Sequence, residues 1–229
     1  MNQIARNLAE VRQRLAAAAR RAGRDPAQVR LVAVSKTFGV ELVREAVAGG
    51  QRLFGENYLQ EAAAKIAALG PGIEWHLVGH LQTNKAKKAV ELFSLIHSVD
   101  SLKLGQALEQ AAARLGKVQD ILLQVHLSGE DTKFGAPPEA VPELLKAIAR
   151  LPHLKVRGLM TMPPWFDDPE AARPYFRRLR ELRDQLRGLN LTEDPLEELS
   201  MGMTGDFEAA VEEGATLVRI GTAIFGRRE

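Results

Sequence analysis

Apolar positions along this chain follow two rhythms. At the N-terminus Ile4, Leu8, Val11, Leu15, Ala18 and Ala22 recur at steps of three and four, the stripe of a helix that rests one face on a core. Gly23 stops that helix and Asp25-Pro26 opens a turn. The next run, Leu31-Val32-Ala33-Val34, has no polar alternation, which marks a strand buried on both faces of a parallel sheet. From there the rhythms alternate. The spacing predicts helices over 41–49, 59–69, 83–92, 101–115, 137–151, 169–187 and 204–213. Between them lie strand-like runs at 52–55, 75–79, 95–99, 121–125, 156–160, within 196–201, and at 217–220. Gly49-Gly50, Gly70-Pro71-Gly72 and Gly214 punctuate the pattern, and Asp100 or Ser101 can cap the helix that follows.

Strands alternating with helices build a parallel sheet with right-handed crossovers. Eight such units in a chain of 229 residues predict an α/β fold, a single (β/α)8 TIM barrel. The expected domain is 1–229, with residues 1–24 an extra N-terminal helix packed on the barrel. Too few residues follow the eighth strand for another helix, so one outer groove would be bare, and the N-terminal stripe can cover it. An open doubly wound sheet would need a switch point and a Gly-rich turn after the first strand. Ser35-Lys36-Thr37-Phe38-Gly39 is not one. No repeat, low-complexity tract or linker marks a second domain.

Composition narrows the function classes. Lys plus Arg is 31 against 29 for Asp plus Glu, a net charge of +2 that argues against nucleic acid. There is no cysteine, which removes disulfides, thiolate metal sites and a cysteine nucleophile, and fits a reducing, cytoplasmic setting. No apolar run approaches the ~20 residues of a membrane span. Arg6, Arg12, Arg14, Arg20, Arg21 and Arg24 crowd the N-terminus as in some organelle transit peptides, but the core-facing stripe assigns them to a structural helix. Lys85, Lys87 and Lys88 read as a solvated helix face, with a partner patch as the alternative.

In a barrel, the loops that follow the strands share one face, and that face carries the site. Lys36 stands where the first strand leaves the sheet. Burial disfavours its ammonium form, and a neutral amine there can form a Schiff base with a carbonyl, including the aldehyde of pyridoxal phosphate. A surface lysine at a strand end is the competing reading. Loops after strands seven and eight often bind phosphate in such barrels. Here they read Ser200-Met201-Gly202-Met203-Thr204 and Gly221-Thr222. Two glycines allow close backbone approach, hydroxyls donate, and the start of the helix at 204 adds partial positive charge; Asp206 in that turn would have to point away. Alternation turns Arg219 inward with Leu217, leaving Val218 and Ile220 to the helices. An inward arginine needs an acceptor, either a pyridine nitrogen or a barrel carboxylate. His76 and His80 lie on or beside a strand with no third ligand in view, so metal is not expected. His97, His126 and Lys133 have no assigned role.

Several stretches occur in an order that resembles a known family. They are Val32-Ala33-Val34-Ser35-Lys36-Thr37, Phe54-Gly55-Glu56-Asn57-Tyr58, Trp75-His76-Leu77-Val78-Gly79-His80-Leu81-Gln82-Thr83-Asn84-Lys85, Gly158-Leu159-Met160-Thr161-Met162, Leu199-Ser200-Met201-Gly202-Met203 and Val218-Arg219-Ile220-Gly221-Thr222. Together they resemble the pyridoxal phosphate homeostasis protein family over nearly the whole chain. The resemblance implies one barrel like the alanine racemase N-terminal domain, with pyridoxal 5'-phosphate held on Lys36. It implies phosphate contact for Ser200, Gly221 and Thr222, pyridine-nitrogen contact for Arg219, and a cofactor-side place for Asn57; Gly202 joins the expected cofactor-binding residues through its glycine turn. Thr204 stands where serine is commoner, which keeps a hydroxyl.

The resemblance also implies a cofactor carrier or buffer in vitamin B6 homeostasis rather than an enzyme, with no catalytic residue. An arginine at the pyridine nitrogen discourages ring protonation and makes the cofactor a weak electron sink. The chain ends before the domain that gives alanine racemase its second base. Apoenzymes that need the cofactor are candidate recipients, and a monomer is expected. A racemase-like enzyme using Tyr58 or His80, a lysine-dependent aldolase and an interaction scaffold are the rivals.

Overall fold

A computed structural model describes residues 2–128 and 134–226. The N-terminal stripe becomes helix α1 (Gln3–Arg21), whose first turn is capped by the Asn2 side chain accepting from the Ala5 N–H at 2.8 Å. Ile4, Leu8, Val11, Leu15 and Ala18 are buried as the spacing predicts. Ala19 completes the stripe in place of Ala22, which is the exposed C-cap before Gly23 turns into the left-handed region at φ 67°. The arginines of this segment dock it. Arg14 pairs with Glu208 at 3.0 Å and lies 4.9 Å above the Phe207 ring, and Arg21 pairs with Glu212 at 2.7 Å. Arg24 donates to the Val211 carbonyl at 2.6 Å.

Eight parallel strands close in chain order: β1 (Arg30–Val34), β2 (Leu53–Glu56), β3 (Glu74–Leu77), β4 (Leu95–Val99), β5 (Gln119–Gln124), β6 (Leu154–Met160), β7 (Glu198–Ser200) and β8 (Leu217–Ile220). The pairing of β1 with β8, Arg30 with Leu217 through Ala33 with Ile220, shuts the barrel and excludes the open sheet. Between strands lie α2 (Val40–Ala48), α3 (Leu59–Leu69), α4 (Ala86–Leu92), α5 (Leu102–Arg114), α6 (Val141–Ile148), α7 (Arg173–Gly188) and α8 (Phe207–Glu212). Ser101 is the cap of α5. Strand β5 begins earlier than its apolar run because the backbone of Gln119 already pairs with β6 opposite Leu154, while its buried side-chain amide donates to the Ser94 and Asp120 carbonyls. Tight 3-10 turns at Thr83–Lys85, Pro138–Ala140 and Pro169–Ala172 replace the first turns of three expected helices.

Two expectations need correction. The helix read over 204–213 begins only at Phe207, since Thr204 to Asp206 form a turn. A helix does follow β8: the single turn α9 (Thr222–Phe225), short enough for the residues available. It leans on α1, and Phe225 stacks on Phe38 with ring centroids 5.2 Å apart. Helix α1 packs on α2, α8 and α9, and so fills the groove.

Side chains sort by face as alternation requires. Val32, Leu53, Val78, Leu95, Leu122, Met160 and Leu217 fill the barrel interior. Val218 and Ile220 join the layer between sheet and helices, which turns Arg219 inward. Of the polar loop at 128–135, residues 129–133, Lys133 among them, lie outside the described residues.

Candidate cofactor site

A cavity of about 1140 Å³ opens at the C-terminal ends of the strands. Lys36 reaches it from β1, Asn57 from the end of β2, and Arg219, Gly221 and Thr222 from β8. Because Ala33 pairs with Ile220, the exits of β1 and β8 lie side by side, and this register places Lys36 next to the Gly221-Thr222 turn. Thr204 and Gly205 close the same wall, with the Ala223 N–H donating to Thr204 Oγ1 at 3.4 Å across the two loops. Gly79 lets the end of β3 approach the neighbouring loop: a Cβ there would lie 2.6 Å from Asn57 Cα.

Ser200 and Gly202 do not line the cavity. Gly202 has φ 89°, and a Cβ would come within 2.5 Å of the Ala210 Cβ, so its place is in the packing of the β7 exit on α8. Asp206 does point away: its Oδ1 accepts from the Met203 N–H at 2.6 Å inside its own turn, and burial raises its pKa.

Ser200 belongs instead to a chain of hydrogen bonds through the lumen. Arg219 Nη1 donates to Ser200 Oγ at 2.6 Å, and Nη2 donates to the Thr161 carbonyl at 2.9 Å. Ser200 Oγ lies 2.9 Å from His97 Nδ1, across the barrel on β4. His97 Nε2 is 3.0 Å from His76 Nδ1, and His76 Nε2 is 2.8 Å from Glu74 Oε1. Arg30 closes the file on Glu74 Oε2 at 2.6 Å. Burial lowers the pKa of both histidines, well below the usual value for His97, so both rings are neutral at neutral pH. Arginine can only donate and carboxylate only accept, which assigns one direction to every bond. The Ser200 hydroxyl donates to His97 Nδ1, His97 Nε2–H donates to His76 Nδ1, and His76 Nε2–H donates to Glu74. The bond from His76, with support from Arg30, holds the Glu74 carboxyl at about 2.

Of the two acceptors anticipated for Arg219, the barrel carboxylate is not the one it meets. Arg219 is 4% exposed and pairs with no carboxylate among the described residues; burial lowers its pKa to about 10, with Asp206 opposing. The other polar residues of the mouth are more open. Tyr58 and the exposed His80 line the cavity, and His80 stacks on Phe134 with centroids 3.7 Å apart. His126 bonds Ser128 at 2.7 Å and lies off the cavity wall. No group of three or more metal-ligating side chains occurs among the described residues.

Sequence reasoning missed the part played by Glu74, His76 and His97. Alternation alone would turn all three inward, since His76 shares a face with Glu74 and His97 with Leu95. Nothing in the chain order pairs His97 with Ser200 103 residues away. A second missed group lies behind Lys36: buried Glu56 accepts from Ser35 Oγ and Lys65 Nζ, each at 2.6 Å.

The donor set suits an anionic ring compound with an aldehyde. It offers the Lys36 amine, a guanidinium without a carboxylate partner among the described residues, two threonine hydroxyls and a tight glycine turn, where a Gly221 Cβ would stand 3.1 Å from the Val34 carbonyl. The family model of the alanine racemase N-terminal domain matches residues 6–229. The pyridoxal phosphate homeostasis protein of Pseudomonas aeruginosa is 50% identical over 231 residues, covering 100% of this chain and 97% of its own. That of Aquifex aeolicus is 46% identical over 224 residues, with 97% of each covered. Among solved structures, PipY of Synechococcus elongatus PCC7942 with PLP bound superposes with a TM-score of 0.87 at 41% identity, covering 98% of this chain and 100% of that one.

Proposed function

Because the chain belongs to the pyridoxal phosphate homeostasis proteins, within the alanine racemase N-terminal domain family, we propose that it holds pyridoxal 5'-phosphate as a Schiff base on Lys36 and acts as a carrier or buffer of that cofactor. The observation that carries the reading is the meeting of Lys36, Arg219 and the Gly221-Thr222 turn on the wall of one cavity. When bound, the cofactor supplies an aldehyde for the amine and a phosphate for the loops. Gly221, Thr222, Thr204 and Gly205 grip the phosphate, and Asn57 contacts the cofactor side. Ser200 serves one step behind them, as the acceptor that aims Arg219 Nη1.

Arg219 points its charge at the pyridine nitrogen. The file behind it cannot take up a proton there without charging a buried imidazole, so the ring nitrogen stays unprotonated and carbanion chemistry is discouraged. A weak electron sink favours a carrier over a catalyst. The domain works as one barrel unit and as a monomer, and apoenzymes that require the cofactor are its recipients.

The test is the absorption spectrum with added pyridoxal 5'-phosphate. A visible imine band is expected, and Lys36→Ala abolishes it; a band that survives the substitution rejects Lys36 as the anchor. Tyr58 and His80 on the same wall favour one other reading, a racemase-like enzyme. Exchange of amino-acid α-protons in deuterated water above the free-cofactor rate would establish it, and the carrier reading expects none.

A further inference from the structure

Lys36 sits in a turn of unusual make-up. The Phe38 N–H donates to the Ser35 carbonyl at 3.1 Å, which makes Lys36 and Thr37 the central residues of a β-turn. Thr37 has φ 68°, the second central position at which such turns demand glycine or asparagine. A β-branched residue in the left-handed region is strained and persists only where its surroundings hold it. Those surroundings are two charged side chains of α3, one helical turn apart. Lys65 Nζ donates to the Ser35 carbonyl at 2.7 Å, and Glu61 Oε2 accepts from the Thr37 N–H at 2.8 Å. These are the two peptide groups that flank the Lys36 Cα. Lys65 is in turn anchored by buried Glu56, which also takes the Ser35 hydroxyl, and stands 3.8 Å from Glu61.

We propose that Glu61 and Lys65 are positioning residues that brace the two peptide bonds around Lys36 and so fix the angle at which its amine meets an incoming aldehyde. The inference rests on the reading of Lys36 as the imine lysine. In that step the Lys36 ammonium first loses a proton to solvent; its nitrogen then adds to the aldehyde carbon, one water leaves, and a C=N bond remains. The brace bonds the backbone on either side of the amine's Cα, through the Ser35 carbonyl and the Thr37 N–H. It limits the directions from which Nζ can approach, an orientational effect that acts on rate more than on the grip of ring and phosphate.

Glu61 is the place to test this, because it is partly exposed and its removal leaves the buried Glu56–Lys65 pair intact. Growth of the imine band after mixing with pyridoxal 5'-phosphate is followed by stopped flow. Affinity for pyridoxine 5'-phosphate, which has the ring and phosphate but no aldehyde, is measured beside it. Glu61→Ala is expected to slow band growth about tenfold while changing pyridoxine 5'-phosphate affinity by less than about twofold, and Glu61→Gln, which keeps an acceptor, to restore the rate. Hydrogen exchange at the Thr37 amide should quicken in Glu61→Ala alone. An unchanged rate in Glu61→Ala overturns the brace, as does a parallel loss of pyridoxine 5'-phosphate affinity, which would mark a merely structural role. Either result leaves the imine reading standing. Failure of that reading looks different: the wild-type protein shows no band, or Lys36→Ala keeps it.

Discussion

Inside the barrel, polar groups cross the lumen as a file of single hydrogen bonds; outside it, between β1 and α3, they meet as an ion pair. The inner file keeps its two imidazoles neutral and places formal charge only at its ends, Arg219 at the large cavity and Glu74 with Arg30 at a smaller one of about 230 Å³ on the opposite rim. Its ring nitrogens, the Ser200 hydroxyl and the Glu74 carboxylate are all partnered. The outer group buries charge outright. Glu56 is fully buried, its Oε1 takes both Ser35 and Lys65, and its Oε2 finds no partner among the described residues. Burial accordingly pushes the Glu56 carboxyl upward. A neutral relay is the less costly way to carry a polar connection through an apolar interior, because an ion pair gives up two hydration shells for one attraction. The costlier arrangement stands where two peptide groups must be held, directly behind Lys36.

Breaking the outer pair should therefore have the largest effect. Lys65→Met strands the Glu56 carboxylate and should cost about 3–5 kcal/mol in chemical denaturation. Glu56→Gln combined with Lys65→Met removes both charges and should recover most of that loss. Equal losses in the single and double variants would show that the pairing of charges is not what matters there.

The inner file should respond less. His97→Leu leaves the Ser200 hydroxyl and His76 Nδ1 without their partner, a loss of about 1–3 kcal/mol by the same measurement. Smaller per step is the response to pH. Histidines whose folded pKa lies below the unfolded value bind fewer protons folded than unfolded, so their contribution is complete above pH ~6.5 and declines as pH falls, by up to about 1.4 kcal/mol per unit for each ring. Glu74, at about 2 when folded, adds stability that is complete above its unfolded value near ~4.3 and is lost as pH falls toward 2. Urea midpoints measured from pH 8 downward should thus fall in two stages. His97→Leu should flatten the upper stage and spare the lower; equal slopes in both proteins would contradict the neutral relay.

Much of this was legible in the chain itself. The step of three and four at Ile4, Leu8, Val11 and Leu15 and the unbroken apolar run Leu31–Val34 of β1 report burial on one face or on both, and burial is a local demand on residue type. Arg219 could be turned inward because period-two alternation leaves no choice once Val218 and Ile220 face helices. The strand-end rule likewise brought Lys36, Gly221 and Thr222 to one rim. Thr204 and Ser200 show where such reasoning stops. Both are hydroxyls at the exit of β7, yet one faces the cavity and the other the lumen, and only the path of the backbone past Gly202 separates them.

By itself, then, the amino-acid order determined the alternation of strand and helix, the closure of the barrel and the meeting of Lys36, Asn57, Gly221 and Thr222 at its mouth, because each follows from periodicity and from short connections. Tertiary structure alone decided which hydroxyl meets Arg219, that His97 reaches Ser200 across the lumen, and that α3 grips both peptide groups beside Lys36. Those are contacts between side chains far apart in the chain or on facing elements, and their geometry exists only once the barrel has closed.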